Sequence, residues 1–380
     1  PMLRHICLAG LLLTSACASS QLEALEAGER PAEKSGFEAG MWAQMDKAEA
    51  DISRSGFVVK DEALNGYVNE IVCTLSKEYC SDIRLYILRD PSFGAAMAPN
   101  GMALVNTGLI LRASDEAELA HVLAHEIGHY VERHSAERYA SLKNGAQFSG
   151  FVTGGLADLF VVGSVLAFSR EQEYDADRLG FDMAVASGYE PSSAAGIWAN
   201  LKQEIEASKD RRKKRQFKSR SWLSTHPVPE ARQLRLEAMA AERPAGDTNR
   251  ERFYTETQPH LLDWLSDEIS QRDIEATLAL IDRIETQRGQ SGLLNYARAE
   301  GYRVRSEEND KEMAFKAYKA ATDFDDSPAE AWRQLGDFYY SNGQPELASA
   351  AFTTYLEKAP DASDRALIQG LIIHSKGEEE

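Results

Sequence analysis

The sequence predicts an α+β fold that is mostly helical, with one small β-sheet in its first part and an α-solenoid at its end. Three observations lead there. Apolar residues recur at helical spacing through most of the 380 residues. Only the stretch from Arg84 to Ile110 alternates in the manner of strands. The last third repeats a helical pattern with a period of about 34 residues.

Composition sets outer limits. With 43% hydrophobic and 27% charged residues the chain is globular and long enough for two or three domains. The net charge of −18, from 42 basic and 60 acidic residues, argues against nucleic acid as a partner.

Residues 1–16 read as an export signal: Arg4 supplies the positive end, Ile6 to Leu13 the apolar run, and Ser15 and Ala16 the small residues before Cys17. The run is too short to span a membrane. Leu13-Thr14-Ser15-Ala16-Cys17 resembles a bacterial lipobox, which would make Cys17 an acylated anchor to the outer membrane. Thr14 departs from the pattern, so an ordinary cleaved signal stays open. Residues 17–36, with Gly28, Pro31 and Gly36, read as a flexible tether.

Helical spacing runs from Phe37 to Leu75. Cys73 and Cys80 can pair in an oxidising compartment, provided that the chain turns between them, since a straight helix would hold them about 10 Å apart. Arg84 to Arg89 reads as a strand, and Phe93 to Ile110 as a hairpin turning at Pro99-Asn100-Gly101. Asp115 and Glu118 form a capping box that opens the next helix.

That helix carries His125-Glu126-Ile127-Gly128-His129. Two histidines four apart lie about 40° from each other on a helix, so both imidazoles reach one ion, with Glu126 beside them. The pattern suits a zinc site whose glutamate accepts a proton from water. A buried helix with satisfied histidines is the plain alternative, and a third ligand separates the two. Glu173 supplies one, from Arg170-Glu171-Gln172-Glu173-Tyr174-Asp175-Ala176-Asp177, leaving the fourth position open. Asp177, four residues on, would accept the free N–H of a ligand histidine. A longer histidine motif fails, because Glu132 and Ser135 stand where Gly and His are required. His134, five residues from His129, turns off the metal face and reads as a helix-end or supporting group. His121 reads as core or support.

The apolar run Phe151 to Phe168 contains Asp158 and three glycines, which favours a covering or core helix over a membrane span. Lys209 to Arg220 is a basic, solvated loop that could also meet anionic lipid headgroups or acidic partners. Residues 244–259 read as a linker. Beyond it, Trp332, Leu335, Gly336, Tyr339, Ala348, Phe352 and Pro360 follow the tetratricopeptide pattern, and Ala314, Tyr318 and Ala321 fall 34 residues earlier on a preceding repeat. Leu262 to Ile284 reads as a further helix pair, which gives a repeat domain over 260–380.

The HExxH motif, Glu173 with Asp177-Arg178-Leu179-Gly180, and Thr225-His226-Pro227 followed by Arg232 resemble the zinc peptidase family of the HtpX heat-shock protease and the CAAX prenyl proteases. The periplasmic, beta-barrel assembly-enhancing branch with C-terminal repeats is the most similar. The resemblance implies a gluzincin-type peptidase domain over 37–243 that holds one Zn2+ per chain through His125, His129 and Glu173. It implies Glu126 as the catalytic base and places His226 near the metal, either stabilising an oxyanion or blocking the open position. Arg232 would brace a carboxylate. It also implies that the strand before the metal helix, Met102-Ala103-Leu104-Val105-Asn106, is the edge to which substrate adds. Expected substrates are misfolded or stalled outer-membrane proteins, with the assembly machinery docked on the repeats. A chaperone or docking protein with a vestigial site is the alternative. An aminopeptidase ranks below both, because no motif for capturing a free amine is visible.

Overall fold

The structure is a computed structural model that describes residues 22–29, 36–144, 168–214, 226 and 230–375. The expected signal, Cys17, most of the apolar run at 151–168, Thr225 and Pro227 lie outside the described residues.

The helical stretch after residue 36 is two helices, α1 (Gly36–Ser53) and α2 (Glu62–Ser76). Asp61 caps α2 by accepting the Leu64 N–H at 2.8 Å. Beyond Ser76 the chain folds back through Tyr79 N–H to Ser76 O and Ile83 N–H to Tyr79 O. This turn brings Cys73 and Cys80 to a Cα separation of 4.7 Å, and they are disulfide-bonded as expected.

The sheet holds β1 (Arg84–Leu88), β2 (Ala95–Met97) and β3 (Met102–Asn106) in the order β1-β3-β2. The β2–β3 hairpin turns at Pro99-Asn100-Gly101, where Gly101 has φ +87° and a Cβ would lie 2.2 Å from Asp82 O. Met102–Asn106 is not a substrate edge. It is the middle strand, parallel to β1 through Arg84↔Met102 on one side and antiparallel to β2 through Ala96↔Leu104 on the other. The local alternation revealed the hairpin but not the parallel return beside it. The outer edge of β1 is taken by Val59 N–H to Ile87 O and Arg89 N–H to Phe57 O. Among the described residues, the edge without a strand beside it is therefore that of β2, where Met97 O accepts from the Ser135 hydroxyl at 3.3 Å.

After β3 come α3 (Thr107–Arg112), α4 (Glu116–Val131) and α5 (His134–Asn144), so the hairpin ends at Asn106 rather than Ile110. Asp115 accepts from Glu118 N–H at 3.0 Å, whereas the Glu118 carboxylate reaches back to Ser114 N–H, one residue before the expected capping-box partner. Then follow α6 (Arg170–Ala186), α7 (Ser193–Ala207), α8 (Glu230–Ala241) and α9 (Arg250–Thr257).

Two expected flexible segments are structured. Leu25 is buried, and its N–H bonds to Val131 O at the end of α4, so residues 22–29 are docked rather than a free tether. The expected linker 244–259 contains α9, whose polar composition belongs to its exposed face while Phe253 and Thr257 are buried. One apolar core runs without a break from Leu25 through Phe253, Leu261 and Trp264 to Ala297.

The C-terminal part is α10 (Leu261–Ser270), α11 (Ile274–Arg288), α12 (Gly292–Arg305), α13 (Asp310–Ala321), α14 (Glu330–Ser341), α15 (Pro345–Lys358) and α16 (Arg365–Ser375). Helices α10 and α11 are the pair expected from Leu262 to Ile284. Buried charges join this part to the first: Arg112 on α3 bonds Glu204 of α7 at 2.8 Å and Glu268 of α10 at 2.7 Å, and Arg283 of α11 bonds Glu204 at 2.5 Å.

Candidate metal centre

Helix α4 is buried along nearly its whole length and is crossed by α6 at very short range. Small residues permit the approach: a Cβ on Gly180 would lie 2.7 Å from His125 N, and one on Gly128 would lie 3.1 Å from Ala176 O. That crossing sets the Glu173 carboxylate opposite the two histidines of α4.

The rings converge. His125 Nε2 and His129 Nε2 are 3.0 Å apart. Glu173 Oε2 lies 3.7 Å from His125 Nε2, and Glu173 Oε1 lies 3.6 Å from His129 Nε2. His226 enters from a separate segment, with Nδ1 3.3 Å from His125 Nε2 and 2.8 Å from Glu173 Oε1. Glu126 is buried beside them, its Oε1 3.6 Å from His226 Nε2.

Behind this set, Asp177 Oδ1 lies 3.1 Å from His125 Nδ1. Arg232 grips Asp177 through Nε at 2.7 Å and Nη2 at 2.6 Å, and places Nη1 2.6 Å from Glu173 Oε2. Asp177 thus lies behind His125, and Arg232 bridges the carboxylates of Asp177 and Glu173. His121 does not join the site: its Nε2 lies 3.0 Å from Glu190 O and its ring lies against Phe181.

Sequence reasoning underused two residues. His134 Nδ1 lies 2.9 Å from His129 Nδ1. On a straight helix it would point away, but α4 ends at Val131 and Arg133 takes φ +56°, which turns His134 back onto the site. Phe168 stacks on His129 with 3.9 Å between ring centroids. In the sequence it is the last residue of the apolar run expected to cover the site or pack in the core, next to the capping residue Ser169.

Burial holds the imidazoles neutral: His125 and His226 fall to about 4 and His129 to about 3 from the usual 6.5. For Glu173, burial pushes the carboxyl up, but hydrogen bonds from His129 and His226 outweigh it and hold the group well below the usual carboxylate range. Asp177 is lowered in the same way, against burial, by His125 and Arg232.

These donors fit a zinc ion. Three ring nitrogens and a carboxylate oxygen, all from buried residues, face one point, and these ligand atoms lie within 4.8 Å of one another. Bonds of about 2.1 Å in a tetrahedron put neighbouring ligands about 3.4 Å apart, in the middle of the distances above.

Comparison with known proteins agrees. The model of peptidase family M48 matches residues 62–240. The mitochondrial metalloendopeptidase OMA1 of Schizosaccharomyces pombe is 31% identical over 178 residues, 43% of this chain and 48% of that protein. The putative beta-barrel assembly-enhancing protease of Vibrio cholerae is 25% identical over 198 residues, 46% of this chain and 39% of its own length. The beta-barrel assembly-enhancing protease of Escherichia coli is 22% identical over 197 residues, 46% of this chain and 38% of its own length. The chain spans about half the length, or less, of these relatives. The family match covers the helix with both histidines, the helix with Glu173, and the His226–Arg232 segment, so residues 62–240 are similar to peptidase family M48.

Proposed function

We propose that the protein is a zinc metalloendopeptidase of the bacterial periplasm that cleaves misfolded or stalled outer-membrane proteins. One observation carries the catalytic part: His125, His129 and Glu173 present their donor atoms to one point with Glu126 alongside. A zinc ion there supplies a Lewis acid that lowers the pKa of water and polarises a scissile carbonyl. Glu126 takes the proton from the attacking water and passes it to the leaving amine. Asp177 accepts the Nδ1 proton of His125 and fixes its ring, and Arg232 holds Asp177 in place. The outer edge of β2, Ala95–Met97, runs beside α4 and suits an extended polypeptide, whose backbone bonds serve any sequence. His226 Nδ1 fills the corner that the attacking water needs, so the conformation described is a closed one.

The location rests on the signal-like stretch before Cys17 and on the Cys73–Cys80 disulfide, which suits an oxidising compartment. Acylated Cys17 would hold the protein at the outer membrane. The substrate class and the docking of assembly machinery follow the names of the bacterial relatives and the tetratricopeptide pattern carried by α13–α15. A docking protein without hydrolysis is disfavoured, because every group that hydrolysis needs is in place.

The test is zinc analysis joined to a casein digest. Glu126→Gln is expected to keep stoichiometric zinc and lose about 10²- to 10⁴-fold in cleavage. Undiminished cleavage by Glu126→Gln, or purified protein without zinc, would refute the reading.

A further inference from the structure

The sequence offers His125 a carboxylate behind its ring but gives His129 none. The histidines of a zinc site generally donate their second N–H to an oxygen that fixes the ring and its tautomer. For His125 that partner is Asp177, at 3.1 Å. His129 turns its Nε2 toward His125 Nε2 and Glu173 Oε1, so once Nε2 is given to a metal its proton sits on Nδ1. Nδ1 is 2.9 Å from His134 Nδ1, and both rings are buried. Two ring nitrogens facing each other cannot both carry a proton, nor can both be bare without repulsion. When His129 offers its Nε2 lone pair to a metal, only one arrangement remains: His129 Nδ1–H donates and His134 Nδ1 accepts.

We infer that His134 is a positioning residue for the metal centre: its bare Nδ1 fixes the tautomer and ring angle of His129, the part that Asp177 has for His125. The corner at Arg133 exists in a form that serves this pairing. Arg133 has a left-handed φ of +56° and its Nη2 donates to Glu38 at 2.7 Å, and the reversed chain sets the His134 ring 5.0 Å from that of His129. Phe168, stacked at 3.9 Å on His129, closes the ring's open face, so the orientation is fixed by one hydrogen bond and one stacking contact. The two ligands of α4 are thereby supported unequally, one by an anion and the other by a neutral acceptor, which keeps His129 the weaker donor and limits negative charge around the centre.

This inference rests on the zinc reading above, and the experiment separates the two. Zinc affinity of the full chain is measured by chelator competition in a Glu126→Gln background, which prevents self-cleavage. The background protein must bind zinc; if it does not, the metal-centre reading fails and this one with it. His134→Ala removes the acceptor and is expected to weaken zinc binding 10- to 100-fold, with the metal-free melting temperature tracked beside it. His134→Asn puts an amide oxygen at the place of Nδ1 and is expected to restore affinity to within about threefold. His134→Gln, of similar bulk but with its oxygen nearer the place of Nε2, is expected to stay weak. Should His134→Ala fail to fold, the Asn and Gln variants decide alone. Equal zinc affinity of Asn and Gln, or undiminished affinity of His134→Ala, overturns the assignment.

Discussion

Burial of three imidazoles around one point costs the metal-free protein stability in acid. In the unfolded chain they protonate near 6.5, whereas in the folded one they resist until about 4 for His125 and His226 and about 3 for His129. The unfolded state therefore binds more protons across that window, and stability falls as pH drops from about 6.5 toward 4. Glu118, buried and pushed up to about 7, works in the opposite direction and favours the fold as pH falls. Urea midpoints of metal-stripped protein at pH 7 and pH 5 are expected to fall, and the drop should shrink in a His125→Gln, His129→Gln double variant. An unchanged drop would place the titrating groups elsewhere. His226 makes a second prediction at this scale. With the imidazole removed by His226→Ala, the closed arrangement is lost, and casein cleavage should rise on the order of tenfold if closure is favoured by about 1.4 kcal/mol. A fall in cleavage would instead give His226 a transition-state role.

Between elements, the crossing of α4 and α6 decides where Glu173 stands. Gly180→Ala would drive a methyl into the Ala124–His125 backbone, at 2.7 to 2.8 Å, where nothing can yield without moving a helix. Overpacking of this kind costs about 1–3 kcal/mol. The expected result is a lower melting temperature together with weaker zinc binding; a variant that loses neither would show that the crossing is looser than its geometry. Much of this was legible beforehand because it is local. HExxH and Glu173-x-x-x-Asp177 each lie on one helix, so spacing alone aims their side chains, and the Cys73–Cys80 turn followed from reach. What spacing could not give depended on distant chain or on one unusual dihedral. The parallel pairing of β1 made Met102–Asn106 interior, and Arg133 returned His134 to the site. In residues 244–259 the polar face of α9 hid the buried Phe253. Phe168 became a site residue only through tertiary contact.

At the scale of the whole molecule, the boundary expected between peptidase and repeats is crossed by the core. Helices α9 to α12 contribute Phe253, Leu261, Trp264, Leu280 and Leu294 to the same cluster as α2 and α4. A chain ending at residue 249 should therefore precipitate or melt without cooperativity, because it bares that surface and leaves Arg112 without Glu268. A chain ending at residue 322 should stay soluble and keep zinc, since the cluster stops at Ala297. A soluble, cooperative 249-residue protein would mean that the shared core is dispensable.

The ionic joint of Arg112, Glu204, Glu268 and Arg283 has a practical corollary for chimaeras. Because α10 and α11 each contribute a charge to it, they travel with the half that carries the candidate metal centre, whatever their likeness to repeats. A foreign docking array should be spliced at residues 322–329, past α13, where the graft spares the ionic joint and the core that ends at Ala297 and has to rebuild only the packing of Leu335 and Ala351 against Ala317 and Tyr318; a seam before Glu268 would take a carboxylate from the buried Arg112.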